Sequence, residues 1–212
     1  MHLFDAAGDG WLDLFTANGH VYPQADRAAA GTRYAQPDTL WRFESDLRVR
    51  AVESSNPNSI LQHAAGTRGT ALGDLDGDGW PDLVLNRIDA PAAVAFAPTT
   101  ENQRVSLHLS GPTEPARTTP RTPRDALGAR VVLVVGSGAN EHALLDEVQT
   151  CAGYQSASTP WLHFGLGTEA SYSALRVIWP SGRVENLPGG PAGRRLWIRE
   201  GEGIVRNEEA AQ

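Results

Sequence analysis

The sequence contains no lysine, and all 18 of its basic residues are arginine. The chain therefore has no side-chain amine for Schiff-base chemistry and lacks the lysine of a phosphate-binding P-loop, so both classes of activity are excluded. Together with the abundance of alanine, this preference is typical of the coding bias of a GC-rich, bacterial-like genome and does not point to a function.

Cysteine and long apolar runs are also scarce. Cys151 is the only cysteine, which excludes an intrachain disulfide and a zinc site built from several cysteines but says little about compartment. No stretch approaches the ~18 apolar residues of a membrane-spanning helix. The opening Met-His-Leu-Phe-Asp has neither the charged nor the apolar segment of a signal peptide. The net charge of −7, with no dense basic patch, argues against a nucleic-acid partner.

Turn-forming residues, in contrast, are plentiful. The 22 glycines and 14 prolines are spread along the chain, and this favours β-structure over long helices. Hydrophobic residues at 41% and charged residues at 20% are ordinary for a soluble globular protein. The length of 212 residues suffices for one large domain or two small ones.

One segment occurs twice. Residues 4–15, Phe-Asp-Ala-Ala-Gly-Asp-Gly-Trp-Leu-Asp-Leu-Phe, align without gaps on residues 73–84, Gly-Asp-Leu-Asp-Gly-Asp-Gly-Trp-Pro-Asp-Leu-Val. Each copy is followed by a short apolar segment that ends in asparagine, which is typical of a strand. Repeats that combine a loop with several strands indicate blades of a β-propeller or a β-sandwich array. Because two repeats cannot close a propeller, we expect the chain to be a C-terminal fragment of a longer protein.

The second copy has the chemistry of a calcium loop. Its carboxylates stand at positions 1, 3, 5 and 9 of a nine-residue loop, and glycines at positions 4 and 6 let the backbone turn so that alternate side chains converge. Carboxylate and carbonyl oxygens are the ligands that Ca²⁺ accepts in flexible geometry. The predicted ligands are Asp74, Asp76, Asp78, Asp82 and the backbone carbonyl of Trp80.

The same residues suggest two other interpretations of this loop. An EF-hand requires a bidentate glutamate at position 12, where this sequence has Leu85 inside a predicted strand, so that interpretation fails. A solvated Asp-Gly-rich hairpin without metal remains open. The first copy predicts a weaker second site, formed by Asp5, Asp9, Asp13 and Trp11, because Ala7 replaces the aspartate of position 3. For that copy a degenerate loop without metal is an equal alternative.

The chain changes character near Thr99. From there to the end, about seven short strands separated by turns predict a compact β-sandwich or barrel. A Pro/Thr/Arg-rich stretch at 111–123 predicts an exposed loop, and the polar end after Gly203 predicts a frayed tail. The predicted organisation is all-β: incomplete propeller blades over 1–98, a small β-sandwich-like domain over 99–207 and a frayed tail over 208–212.

These motifs carry a family resemblance. The two Asp-Gly loops resemble the FG-GAP/VCBS repeats of integrin-like β-propellers, and residues 9–24 resemble the cartilage acidic protein (CRTAC) group in particular. Four later motifs resemble the ASPIC/UnbV domain, in the order of that family: Gly128-Ala-Arg-Val, Gly153-Tyr-Gln-Ser, His163-Phe-Gly-Leu-Gly and Trp179-Pro-Ser-Gly-Arg-Val-Glu. The sequence departs from the pattern at Ala7, at the insertion 111–123 and at Cys151, where a small residue is expected.

The remaining candidates favour structure over chemistry. His163 lies in an apolar strand and is predicted to be a packed, hydrogen-bonded histidine; His20 is predicted to stabilise a turn, with a ligand-facing role open. The serines lack a Gly-x-Ser-x-Gly elbow, and the glycine pairs precede no helix, so hydrolase and nucleotide-binding activities are not expected. Trp11 and Trp80 are predicted to pack one blade on the next. Three tryptophans are predicted to lie in strands of the core: Trp161, Trp179 and Trp197. An exposed subset of the six tryptophans could stack on sugars.

Two functional hypotheses follow from the residues and the resemblance. The first is a non-catalytic extracellular binding or adhesion module whose propeller loops are ordered by Ca²⁺, with a protein or carbohydrate ligand. Its expected location is extracellular, periplasmic or on the cell surface, which is what the resemblance implies. The alternative is an accessory or catalytic component of a secondary-metabolite pathway of the enediyne type, which the UnbV name suggests. A polar pocket around His163 or His20 would favour that alternative.

Overall fold

The computed structural model describes residues 1–27, 31–43, 48–98, 100–113, 120–151, 153–154 and 156–211. The strands of this part of the chain are β1 (His2–Phe4), β2 (Asp13–Thr16), β3 (Gln36–Pro37), β4 (Thr39–Phe43), β5 (Val49–Ala51), β6 (Ala64–Gly73), β7 (Asp82–Ile88), β8 (Ala93–Ala95), β9 (Gln103–Ser110), β10 (Arg130–Val135), β11 (His142–Glu147), β12 (Trp161–Gly167), β13 (Ser171–Ile178), β14 (Val184–Pro191), β15 (Arg194–Arg199) and β16 (Gly203–Glu209). Three 3₁₀ turns complete the elements: Pro23–Asp26, Ile60–Gln62 and Gly138–Asn140. The predicted all-β class is confirmed. Among the described residues, no helix has the length and apolar character needed to cross a membrane.

The first half of the chain forms two curled, four-stranded antiparallel sheets, as expected for propeller blades. Their strand orders are β1-β2-β4-β5 and β3-β6-β7-β8. The two Asp-Gly loops connect β1 to β2 and β6 to β7, and the strands pair in the same register, Phe4 with Asp13 and Gly73 with Asp82. The sequence repeat is therefore also a repeat of hairpin geometry.

The two blades share one apolar core and one buried polar cluster. Phe15 of β2 and Leu85 of β7 are 1% and 0% exposed, and both belong to a cluster that spans the two sheets. Next to it, the buried Asp38 accepts hydrogen bonds from the backbone N–H of Asn18 and the hydroxyl of Thr67, at 2.9 and 3.0 Å. Arg87 lies 3.7 Å from the same carboxylate. Because these partners come from both blades, the buried polar cluster holds the two blades together.

The second half of the chain is a β-sandwich. Its two sheets have the orders β12-β9-β15-β16 and β11-β10-β13-β14, and all neighbours are antiparallel except β9 and β15. Alternate residues of both sheets point inward, and their side chains fill the core: Val105, Leu107, Leu109, Val131, Leu133, Val135, Leu162, Phe164, Leu166, Tyr172, Leu175, Val177, Leu196 and Ile198. The sandwich-like domain predicted from the strand pattern is present.

Several local predictions need correction. The described part of the sandwich has eight strands, because the end expected to be frayed forms β16, and Ala210 and Ala211 donate backbone hydrogen bonds to Gly193 and Gly77. Trp179 lies in the core as predicted, but Trp161 and Trp197 are half-buried on the outer face of their sheet, where their rings make an edge-to-face contact with centres 5.1 Å apart.

Parts of other predictions lie outside the described residues. They include residues 114–119 of the Pro/Thr/Arg-rich loop, Gln155 of one resembling motif, the final Gln212, and Thr99 at the predicted domain boundary. The boundary between residues 98 and 99 therefore stays a prediction.

Candidate metal centre

The loop between β6 and β7 turns tightly around the carboxylate of its first aspartate. Asp74 accepts backbone hydrogen bonds from Gly77 at 2.7 Å and Gly79 at 3.2 Å. Both glycines have a positive φ, +85° and +90°, a conformation that residues with a Cβ rarely adopt. The Asp-x-x-Gly-x-Gly spacing thus folds the backbone around position 1.

This turn brings three carboxylates together. Asp74, Asp76 and Asp78 each offer one oxygen, and the three oxygens lie within 4.8 Å of one another. Asp76 and Asp78 also accept hydrogen bonds from the backbone N–H groups of Asp78 and Trp80. Burial raises the pKa of Asp78, and the negative charges of Asp76 and Asp74 raise it further. The group consists entirely of hard oxygen donors, which fits Ca²⁺.

Asp82, a further predicted ligand, lies outside this group of three. Its side chain is 1% exposed, and both of its oxygens accept backbone hydrogen bonds at 2.8 Å, from Leu75 within the loop and from Ala97 beyond β8. In the first copy Asp13 accepts a bond from Ala6 in the same way, at 3.2 Å. The aspartate at position 9 therefore closes the loop in both repeats.

The side chain of Trp80 packs the second loop against the first. Its side chain is 4% exposed, and the ring lies against Gly8, where an added Cβ would be 2.0 Å from Cη2 of the ring. This agrees with the predicted packing of one blade on the next. The equivalent Trp11 is 47% exposed, so the two tryptophans differ in their surroundings. The backbone carbonyl of Trp80 as a metal ligand stays a prediction.

The first loop folds around Asp5 as the second folds around Asp74, but its arginine partner comes from its own blade. Asp5 accepts backbone hydrogen bonds from Gly8, Asp9 and Gly10 at 2.6, 3.2 and 2.7 Å, and burial raises its pKa to about 6. Asp9 pairs with Arg42 at 3.3 Å. With Ala7 at position 3, the charge of Asp9 faces an arginine of its own blade.

Two arginines of the sandwich approach the second loop. The guanidinium of Arg195 lies 3.7 Å from Asp74, and that of Arg104 lies 5.0 Å from the centre of the Trp80 ring. Burial lowers the pKa of Arg104, and the three aspartates oppose that shift. Sequence reasoning missed both residues because they are distant in the chain from the loop that they contact.

The two candidate histidines have structural surroundings. Nδ1 of His20 accepts the backbone N–H of Tyr22 at 3.1 Å, which matches the predicted turn. Nδ1 of His163 lies 3.1 Å from the Gly79 carbonyl, and burial lowers its pKa. A cavity of about 480 Å³ between the blades has an apolar floor that includes Phe15 and Leu83, and neither histidine lines it.

Comparisons with known proteins agree with this architecture. The sequence model of the FG-GAP-like repeat matches residues 5–85, and that of the ASPIC and UnbV family matches residues 119–205. Cartilage acidic protein 1 of Mus musculus and of Homo sapiens is 30% identical over 135 residues, which is 63% of this chain and 19% of each relative. The Xenopus tropicalis protein of the same name is 30% identical over 156 residues, 71% of this chain and 22% of the relative.

The chain thus spans about a fifth of the length of these curated relatives. The matches follow the two structural halves in order, repeats first and sandwich second. The chain belongs to the family of proteins that join FG-GAP-like repeats to an ASPIC and UnbV domain, and it is similar to cartilage acidic protein 1 over the aligned region.

Proposed function

We propose that the chain is a non-catalytic, extracellular binding or adhesion module in which Ca²⁺ orders the loop at 74–82. The convergence of Asp74, Asp76 and Asp78 supports the metal most strongly. Two carboxylates ~5 Å apart repel by roughly 3 kcal/mol at an effective dielectric of about 20. A divalent cation among the three removes this repulsion.

The donor set favours Ca²⁺ over transition metals. The group has no histidine or cysteine, and carboxylate oxygens on a flexible loop suit a cation that accepts several oxygens with variable geometry. Zinc and copper prefer nitrogen and sulfur ligands. Backbone carbonyls, with Trp80 as the first candidate, and water would complete the coordination.

The family supports the location and the type of activity. The aligned relatives are named as acidic proteins of cartilage, a tissue rich in extracellular matrix, which supports an extracellular module. The proposed ligand is a protein or a carbohydrate. The alternative, a catalytic or accessory role in secondary metabolism, calls for a polar pocket at His20 or His163. The cavity between the blades lies elsewhere and has an apolar floor, so it does not favour that alternative.

The calcium site can be tested with isosteric variants. After treatment with chelator, calcium titration by calorimetry and thermal unfolding are compared for the wild type, Asp78→Asn and Asp125→Asn. Asp125 is a control because its side chain is 50% exposed and pairs with its neighbour Arg124, far in sequence from the loop. A cation that binds only the folded state at about 100 times its Kd stabilises by about 2.7 kcal/mol. We expect a raised melting temperature in the wild type and in Asp125→Asn and none in Asp78→Asn. Equal melting with calcium and with chelator in the wild type would contradict the proposal.

A further inference from the structure

The sandwich contacts both Asp-Gly loops through strand β12 and neighbouring residues of the same sheet. We propose that the sandwich is a docking domain for the repeat loops: it recognises the turn that two successive blades share and holds the blades in register. The His163-Phe-Gly-Leu-Gly segment of β12 is the centre of this docking surface, which also includes Ser106 and Arg195. The docking itself requires no metal.

The first loop fits against the two glycines of this segment. The backbone N–H of Gly167 donates to the carbonyl of Gly8 at 2.9 Å. A Cβ on Gly165 would lie 2.1 Å from Oδ2 of Asp5 and 2.4 Å from the Cα of Gly8. No real Cβ tolerates such distances, so the close approach of the two backbones requires glycine at 165.

The second loop is held by side chains on the same face. The carbonyl of Gly79 accepts a hydrogen bond from the Ser106 hydroxyl at 3.0 Å and lies 3.1 Å from Nδ1 of His163. Ser106 is 1% exposed, and its hydroxyl also lies 3.2 Å from Nδ1 of His163, so the three groups form one cluster. The backbone N–H of Ala211 donates to the carbonyl of Gly77 at 3.0 Å.

The two sets of contacts follow the repeat. Gly8 and Gly77 both occupy position 4 of their loops, and each carbonyl accepts a hydrogen bond from a backbone N–H of the sandwich. The aspartate at position 1 also faces the sandwich in both cases: Asp5 lies against Gly165, and Asp74 pairs with Arg195. The sandwich therefore contacts features that the turn supplies in every copy, which distinguishes recognition from incidental packing.

Two aromatic rings hold the side chain of Arg195 in position for its contact with Asp74. Its guanidinium lies 4.8 Å from the ring centre of Trp161 and 5.8 Å from that of Trp197, on the outer face of the sheet. Stacking against aromatic rings fixes the plane of a guanidinium and reduces the entropy lost when it pairs with a carboxylate. The partner that fits this surface is an acidic, glycine-rich turn.

The main test uses Gly165→Ala in the full chain, in the presence of chelator. The control is Gly182→Ala, whose added methyl group meets no atom within 4 Å but whose φ of +90° strains the backbone, so it destabilises the sandwich without a clash at the docking surface. We expect wild type and control to unfold in one calorimetric transition and to share one radius of gyration in small-angle scattering. Gly165→Ala should show a larger radius and two transitions. A wild-type radius with a single transition in Gly165→Ala would overturn the proposal.

A milder pair of variants covers the case in which Gly165→Ala does not fold. Arg195→Gln removes the charge that faces Asp74, whereas the neighbouring Arg194→Gln removes a charge that pairs with Glu209. Hydrogen exchange of the peptide that contains residues 74–82 should be about five-fold faster in Arg195→Gln and unchanged in Arg194→Gln. Equal exchange in both variants contradicts docking. Because all samples contain chelator, the result is independent of whether the loop binds Ca²⁺.

Discussion

Trp80 covers Gly8, and this single contact joins the second Asp-Gly loop to the first. The ring leaves no room for a side chain, since a Cβ on Gly8 would be 2.0 Å from Cη2 and 2.4 Å from Cζ3. Arg104 of the sandwich lies on the same ring, 5.0 Å from its centre. The indole is therefore shared by three parts of the chain: both blades and the C-terminal sheet.

Replacement of Gly8 by alanine should destabilise the protein through this contact. Gly31→Ala is a close control, because Gly31 has φ +69° where Gly8 has +70°, and its added methyl group meets no atom within 4 Å. Both variants carry the left-handed strain of roughly 1–2 kcal/mol. Overpacking against Trp80 should add about 1–3 kcal/mol for Gly8→Ala alone. The difference between the two free energies of unfolding, from urea denaturation, measures the packing. Equal values would mean that the ring moves aside at no cost.

The charge of Arg195 should weaken calcium binding at the loop. Its guanidinium lies 3.7 Å from Asp74, so a cation bound by that carboxylate meets a positive charge nearby. Arg195→Gln should therefore bind Ca²⁺ more tightly, on the order of fivefold, with a larger gain at low ionic strength. Arg194→Gln, on the same strand, should leave the affinity unchanged. Calorimetric titration gives both constants, and weaker or equal binding in Arg195→Gln would show that the arginine does not compete with the cation.

Asp146 should make stability depend on pH. Burial raises its pKa from 3.8 to about 6. The folded state then binds a proton more tightly than the unfolded state, so stability falls as the pH rises from about 4 to 6. Asp146→Asn should remove this loss and be more stable than wild type at pH 7. Asp125→Asn, at a position where the side chain is 50% exposed, should keep the wild-type profile. Urea midpoints are measured at pH 4, 5, 6 and 7. A stability difference between Asp146→Asn and the wild type that grows with pH supports the prediction, and a constant difference contradicts it.

The hairpin loops could be predicted from sequence because their geometry is encoded locally. Asp74 with glycines at positions 4 and 6 fixes a turn through hydrogen bonds to its own neighbours, and the second copy repeats the signal. Asp82 as a ligand stays a prediction. Its spacing is also that of a ligand, but its two oxygens are used by the backbone of Leu75 and Ala97, and Ala97 lies beyond the loop.

No local sequence pattern predicts the contacts between segments that are distant in the chain. Arg195 and Asp74 are 121 residues apart, so their pairing depends on the whole fold. Two other errors were avoidable. Leu196 and Ile198 point into the core, and the alternation of a strand therefore places Trp197 on the outer face. The polar sequence of β16 is typical of a strand at the edge of a sheet, where one side faces solvent.

The first loop offers a way to test which positions hold the metal. It lacks a carboxylate at position 3, where Ala7 stands beside a cavity of about 370 Å³, and Arg42 already neutralises Asp9 at 3.3 Å. The double variant Ala7→Asp, Arg42→Gln restores the carboxylate and removes the competing charge. We expect it to bind two Ca²⁺ where the wild type binds one, because its loop then carries aspartates at positions 1, 3 and 5, like the loop at 74–82.

Arg42→Gln alone serves as the control, since it removes the competing charge without adding a ligand, and its stoichiometry should stay at one. The triple variant that also carries Asp78→Asn should return to one site, now in the first loop. Calorimetric stoichiometry separates these cases. A single site in the double variant would show that three carboxylates at positions 1, 3 and 5 do not suffice, and that the surroundings of the second loop, in which Trp80 is buried and Trp11 is not, are part of the site.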